Sequence, residues 1–426
     1  MRRLIRAAND HSGVSEAELR SALEKHIGDR IGTLKKVLLL PPDLTRMHSQ
    51  AGQITEIYYE MLENTCEIDI MPALGTHDAM NIAEIREMFG GRIPLSCFKA
   101  HDWRKDVIKI GEVPGDFVKE VSDGLLDFPI DVEVNKRIVD KSYDLILSIG
   151  QVVPHEVAGM ANYSKNIFVG CGGKDFINKS HFLGAVYGME RMMGKDHSPV
   201  RKVMDYAQER FLQDAPLEYV LTVTTLNHNE SVLEGLFIGS ERNVFDQAVE
   251  LSRQKNLNFL DKPIKKAVVY LDPKEFKSTW LGNKSIYRTR MAIADRGELV
   301  VLAPGVKKFG EDAAIDRLIR KYGYSGTEKI MAQYEANEDL KENLSAAAHL
   351  IHGSSEGRFS ITYAVKGLTR EEVEGVGFNY EEYEKLAQIY NPERLIDGYN
   401  MLDNGEEIFY ISNPALGLWV DKSRIN

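Results

Sequence analysis

The stretch from Pro154-His155-Glu156-Val157-Ala158-Gly159 through Lys165 to Ser180-His181 carries two histidines and a lysine, beside a predicted strand and a Gly-rich turn. Histidine exchanges protons near neutral pH and is the commonest metal ligand. Lysine is the one cation that can turn nucleophile and form a covalent link. Proton transfer, metal binding and covalent attachment in one short segment point to a site built around a bound cofactor.

Two further turns carry chemistry. Gly75-Thr76-His77-Asp78 sets His77 just past a buried strand, where it can serve as a general acid or base. Asp43 and Arg46 lie three apart in Asp43-Leu44-Thr45-Arg46. Arg46 can grip a carboxylate through two parallel N–H groups, with Asp43 holding it. Taken singly, each has an ordinary reading: Asp43 as a helix cap, His77 and His155 as strand-end turn residues, Lys165 as a solvated cation, His181 as a residue of a helix start. Gly170-Cys171-Gly172-Gly173-Lys174 resembles a glycine-rich anion cradle around Gly172, Gly173 and Lys174, without the GxxxxGK[ST] spacing of a P-loop. Tyr287-Arg288-Thr289-Arg290 offers Tyr287, Arg288 and Arg290 to an acid. His349, His352 and Arg358 form one more polar group, with no third metal ligand nearby.

These loops need a scaffold. Residues 15–28 read as a helix capped by Ser15. KVLLL (36–40) is a short buried strand that turns at Pro41-Pro42. Residues 53–64 and 80–90 are helical, and CEIDIMPALGTH, VIKIG and YDLILSIG supply strands. Helices at 199–214 and 243–255 enclose the strand LEYVLTVTTL. NLNFLDKPIKK (256–266) is the linker candidate. A second alternating run follows: strands in AVVYLD, GELVVLAPG, FSITYAV and IFYIS, with helices at 312–322, 370–374 and 380–389. Strands alternating with helices predict mostly parallel sheets. The expectation is two α/β domains, 1–265 catalytic and cofactor-binding and 266–426 closing over the substrate, with a cleft between them. In such sheets ligands bind beyond the carboxyl ends of the strands. The DLTR, GTH and PHEVAG turns all sit there.

The bulk numbers narrow the class. A chain of 426 residues exceeds one core and fits two domains. Hydrophobic residues are 43% and charged residues 27%, ordinary for a globular protein, and the net charge of −11 argues against nucleic acid as a partner. Cys66, Cys97 and Cys171 are scattered and form no CxxC pair, so free thiols in a reducing cytoplasm are expected. No apolar run reaches the roughly 18 residues of a membrane span.

The DxTR turn (Asp43 to Arg46), the LGTH turn (Leu74 to His77), the PHxxAG loop (Pro154 to Gly159), Lys165 and His181 together resemble the lactate racemase family. Asn227 with FIGS, and GELVVLAPG, also fit. The resemblance implies a nickel-pincer nucleotide cofactor, made by dedicated partner enzymes and attached to Lys165 through a thioamide. It implies His181 as the nickel ligand, His77 and His155 as the acid/base pair, and Arg46 as the carboxylate grip. The reaction implied is inversion of C2 in a 2-hydroxy acid by reversible hydride transfer to the cofactor. There are two departures. The family lysine follows a Ser-Gly-Gly run, where this chain has Ala161-Asn162-Tyr163-Ser164. Lactate-type members carry a lysine shortly after a Tyr-Gln pair, where this chain has Tyr287-Arg288 and then Met291. Arg288, Arg290, Asn162 and Tyr163 favour a longer, hydroxylated acid, so the chain looks like the sugar-acid epimerases that interconvert D-gluconate and D-mannonate. The competing readings are a zinc hydrolase with His77, His155 and His181 as ligands, and a non-catalytic acid-binding homologue.

Overall fold

The computed structural model describes residues 4–7, 13–227 and 230–424. The chain divides into two compact units. The first holds Met1–Tyr187 and Arg191–Asn256, and the second holds Gly188–Glu190 and Leu257–Asn426.

The first unit contains β1 (Leu4–Ala7), β2 (Lys36–Leu40), β3 (Glu67–Ile70), β4 (Val107–Val113), β5 (Ile130–Asn135), β6 (Leu145–Gln151), β7 (Pro154–His155), β8 (Gly159–Met160), β9 (Leu217–Asn227) and β10 (Glu230–Gly239). Six of them form one sheet in the order β1-β10-β9-β6-β2-β3. The run β9-β6-β2-β3 is parallel, and β10 and β1 add antiparallel. VLLL (37–40) and LILSIG (145–150) are near-continuous apolar runs because a parallel strand is covered on both faces. Val37, Leu39, Leu145, Leu147 and Ile149 pack into one core with Ile54, Ile57 and Tyr58 of the helix Ala51–Leu62. Each such buried side chain contributes about 1.5–3 kcal/mol. Ser15 and Glu18 form a reciprocal capping box on the helix Glu16–Ile27, as do Asn81 and Glu84 on Ile82–Phe89.

The second unit contains β11 (Leu257–Leu260), β12 (Ile264–Tyr270), β13 (Ile293–Ala303), β14 (Ser360–Val365), β15 (Asn379–Glu382), β16 (Gly398–Met401), β17 (Glu407–Ile411) and β18 (Leu418–Asp421). Its sheet runs β15-β14-β13-β12-β17-β16, parallel except for β16. The fold is mixed α/β with mostly parallel sheets. The expected linker 256–266 is instead largely strand: β11 pairs with β18, and β12 begins at Ile264. The expected helix 380–389 begins only at Tyr383, because residues 379–382 pair with β14. Among the described residues no helix is long and apolar enough to cross a membrane.

Candidate functional site

The neighbours β6, β2 and β3 run parallel, so their carboxyl ends open on one edge of the sheet. Each end delivers one of the polar turns. After β2, Pro42 still bridges Ala73, and the chain then enters a short 3-10 helix, Leu44–Ser49. Asp43 caps that helix: its Oδ1 accepts from Thr45 N–H at 3.2 Å and from the Thr45 hydroxyl at 2.5 Å. Its other oxygen, Oδ2, lies 2.5 Å from His77 Nδ1. Asp43 is buried, whereas the His77 side chain is 54% exposed. Burial pushes the Asp43 carboxyl up, but His77, Thr45 and the charge of Arg46 outweigh it and hold the group below the usual carboxylate range. With Asp43 a carboxylate, the shared proton sits on His77 Nδ1, so in the neutral ring the lone pair is on Nε2. Gly75 makes this turn with φ +58° and donates its N–H to Gly170 O at 2.8 Å.

After β6 the chain forms the small hairpin β7–β8, in which His155 faces Gly159. Gly159 has φ +80°, and a Cβ there would fall 2.0 Å from Lys195 O. His155 is buried, and its Nδ1 accepts from Val157 N–H at 3.1 Å and Ala158 N–H at 3.4 Å. In the neutral ring the proton is therefore on Nε2. His77 and His155 are held in opposite tautomers, one offering a lone pair and the other an N–H.

Lys165 caps a π-helix, Asn166–Gly170, a rare geometry that clusters at functional sites. Asn166 anchors it, donating from Nδ2 to Leu40 O at 3.2 Å, at the end of β2, and to Ser148 Oγ at 2.9 Å, on the paired residue of β6. Loss of hydration pushes the Lys165 amine down to about 8, and the charges of Arg46 and Arg201 act in the same direction. His181 was expected at a helix start. It lies inside the helix Lys174–Tyr187, where Nδ1–H donates to Ile177 O at 2.6 Å. That bond fixes the tautomer and leaves the Nε2 lone pair without a hydrogen-bond partner among the described residues, the arrangement usual in a metal-ligating histidine. Burial, then the charge of Lys165, pushes His181 down to about 4, so the ring is neutral at physiological pH. Asp43 and Arg46 act electrostatically on Lys165, and Lys165 and Glu156 act on His181, so these groups form one charged cluster. No hydrogen bond or ion pair holds the Arg46 guanidinium among the described residues.

Three expectations gain detail. Among the described residues no three His, Cys, Asp or Glu side chains gather as a metal site, so His77, His155 and His181 do not form the convergent set a zinc hydrolase requires. Gly172 and Gly173 are needed by the chain itself: a Cβ at 172 would fall 1.9 Å from Phe168 O, and one at 173 would fall 2.3 Å from Glu133 Oε2. Glu133 also accepts from Asp175 N–H at 3.2 Å, so this helix start is capped from within, and Lys174 is exposed beside it. Burial drives the Cys171 thiol well above its ordinary value, leaving it unreactive.

In the second unit Tyr287 and Arg288 are buried, and the Tyr287 hydroxyl lies 2.9 Å from His349 Nδ1. Arg290 is engaged within that unit. Its Nε donates to Glu190 Oε1 at 2.9 Å, and Nη1 donates to the carbonyls of His352 and Ser354. Tyr163, expected to face the substrate, is packed among Tyr219 and Phe245, with its hydroxyl accepting from Gln208. Sequence reasoning missed Glu156 and Asn166 as members of the cluster. Glu156 sits inside the recognised PHEVAG loop, and that adjacency was the available signal.

Residues 4–193 match the family model described as the lactate racemase N-terminal domain. No curated protein matches the chain. Solved structures share its fold, two of them as follows. One, a crystal structure of a protein from Thermotoga maritima, is 23% identical, covers 97% of this chain and 100% of its own, and has a TM-score of 0.82. The other, the lactate racemase apoprotein from Thermoanaerobacterium thermosaccharolyticum, is 17% identical, covers 96% of this chain and 93% of its own, and has a TM-score of 0.71.

Proposed function

We propose that this chain, which carries a lactate racemase-like N-terminal domain, is a racemase or epimerase that inverts C2 of a 2-hydroxy acid. The observation that carries this reading is the pair His77 and His155, set beyond the ends of β3 and β6 on either side of β2 and in opposite tautomers, with Arg46, which has no hydrogen-bond or ion-pair partner among the described residues, after β2. Inverting a carbinol centre needs one proton-handling group for each face. His77 has its Nδ1 proton fixed by Asp43, so Nε2 is ready to take a hydroxyl proton. His155 begins as an Nε2–H donor to a substrate oxygen. It becomes a base only by moving that proton to Nδ1, out of its bonds with the Val157 and Ala158 N–H groups. Arg46 binds the substrate carboxylate.

The residues present fit the nickel-pincer nucleotide that such a domain implies. The Lys165 amine, lowered to about 8, is suited to covalent attachment, and His181 Nε2 is suited to a single bond to nickel. When bound, that group supplies a reversible acceptor for the C2 hydride. The cofactor-building enzymes are then partners. We assign the substrate to the sugar acids, D-gluconate and D-mannonate, because Arg288 and Met291 stand where lactate-type members carry glutamine and lysine.

The test is C2 epimerisation of D-gluconate followed by NMR, with protein co-expressed with the cofactor-building enzymes beside Lys165→Ala and His155→Ala variants. Conversion to D-mannonate that disappears in both variants supports the whole reading. An adduct on Lys165 without conversion of D-gluconate keeps the chemistry and removes the sugar acid. Neither adduct nor conversion favours an acid-binding protein without catalysis.

A further inference from the structure

The residues before Lys165 carry an unusual backbone. Asn162 has φ +64° and Tyr163 has φ +56°, two successive non-glycine residues in the left-handed region. Asparagine tolerates that region because its side chain bonds locally. A bulky residue there is a strained outlier that persists only when its surroundings hold it. They lie in the stretch Ala161-Asn162-Tyr163-Ser164 that stands in place of the Ser-Gly-Gly run named above.

The surroundings do hold them. Asn162 Oδ1 accepts from Tyr163 N–H at 2.7 Å. The Asn162 amide lies against Gly150, where a Cβ would come within 2.5 Å of Nδ2. The Tyr163 ring stacks on Phe245 with centroids 5.1 Å apart and meets Tyr219 at 4.3 Å. Fully buried Arg201 ties both sides of the turn, donating to Met160 O at 2.7 Å and to Ser164 Oγ at 2.8 Å. Ser164 in turn donates to Asp205 Oδ1 at 2.9 Å. Tyr163 O accepts from Asn166 N–H at 2.9 Å, so the strained turn leads directly into the π-helix that Lys165 caps.

We propose that Asn162 and Tyr163 are positioning residues for Lys165: a left-handed turn built without glycine, clamped by the Tyr163–Phe245 stack and by Arg201, that fixes where the Lys165 amine stands. Glycines would reach the same conformation without strain; in this chain the clamp holds the two residues in it. The proposal takes the importance of Lys165 from the reading above, but its test does not.

The test uses the full chain made without the cofactor-building enzymes. Acylation of Lys165 by limiting acetic anhydride is read by peptide mass spectrometry against exposed Lys141. Asn162→Gly and Tyr163→Phe, which keep the conformation or the stack, are expected to match the wild type within about two-fold. Asn162→Val, whose branched side chain resists positive φ, is expected to raise the Lys165 rate at least about five-fold as the amine leaves its enclosure. An unchanged rate in folded Asn162→Val overturns the proposal. Should that variant not fold, Asn162→Ala against Asn162→Gly is read in the same way. In protein co-expressed with the cofactor-building enzymes, the Lys165 adduct is a second readout, expected in Asn162→Gly and lost in Asn162→Val. A wild type without adduct sinks the cofactor reading and leaves the acylation result standing.

Discussion

Asp43 Oδ2 and His77 Nδ1 stand 2.5 Å apart, a buried carboxylate against an exposed imidazole. The pairing settles which ring nitrogen of His77 is basic. In Asp43→Asn the amide can present its N–H to His77 instead and favour the wrong tautomer. We expect kcat to fall by about 10²–10⁴-fold with little change in KM, as losses of an orienting carboxylate do. NMR rates of the loaded enzyme check it. Because the folded pKa of Asp43 is depressed, its stabilising contribution is present above the ordinary carboxylate range and fades as pH falls through the folded value.

Arg46 is a half-buried guanidinium without a fixed protein partner among the described residues. Arg46→Lys keeps the charge and loses the planar fork. A charge-assisted hydrogen bond is worth about 1.5–3 kcal/mol. The expected effect is a KM raised about ten- to hundred-fold, with kcat changed less. Lys and Ala variants with equal KM values would show that charge contributes nothing without the fork.

The strand-end turns were legible because apolar runs such as VLLL and LILSIG mark parallel strands, and polar residues after them have one place to go. His181 was misplaced for a physical reason. The helix around it begins at Lys174 with its cap supplied by Glu133, from a distant strand, so no local cap residue announced the start. NLNFLDKPIKK reads as a linker because Asp261, Lys262 and Pro263 interrupt two short strands whose partners, β18 and β13, lie far along the chain. The tautomers of His77 and His155, and the clamp on Tyr163, depend on contacts between elements distant in sequence, which no periodicity encodes.

Gly172 lies where a Cβ would meet the Phe168 carbonyl oxygen at 1.9 Å and its carbon at 2.5 Å. Both are backbone atoms of the π-helix that follows Lys165, so a side chain can enter only by moving that helix. Gly172→Ala is expected to cost about 3 kcal/mol or more and to abolish cofactor loading. Gly28, with φ −53° and nothing within 4 Å of a built Cβ, is the matched control. Gly28→Ala is expected to change stability by less than about 1 kcal/mol. Equal thermal midpoints for the two variants would refute the steric argument.

In the second unit hydrogen-bond polarity runs one way. The Thr279 hydroxyl donates to Phe309 O at 3.0 Å, so it accepts from the Tyr324 hydroxyl at 2.9 Å. Tyr324 then accepts from His349 Nε2–H at 2.9 Å, which leaves His349 Nδ1 to accept from the Tyr287 hydroxyl. Burial, followed by the charge of His352, pushes His349 down to about 3, consistent with a neutral ring. Tyr287→Phe strands a buried acceptor and is expected to cost about 1–3 kcal/mol. Urea denaturation measures it. A cost below about 0.5 kcal/mol would mean that the chain of donors is not ordered in this way.

Glu218 offers a control at the other end of the sheet. It stands near the start of β9, beside Leu147 of the parallel β6, away from the carboxyl ends that carry the site. Its Oε2 lies 2.7 Å from His26 Nε2, and its Oε1 accepts from Arg30 Nη1 at 2.7 Å. Burial raises its carboxyl, but His26 and Arg30 outweigh this and bring it down to about 2. A carboxyl whose folded pKa is depressed stabilises the fold fully above its unfolded value, about 4.3, and loses that contribution as pH falls toward the folded value. Allowing for solvent screening of a partly exposed group, the contribution at pH 7 is about 2 kcal/mol. Glu218→Gln is therefore expected to be less stable than the wild type by about that amount at pH 7, with the gap closing between about pH 4 and pH 2. Its kcat at saturating substrate is expected to match the wild type, since the change lies at the opposite end of the strands. A gap that stays constant down to pH 2 would show that packing, rather than the charge of Glu218, sets its contribution.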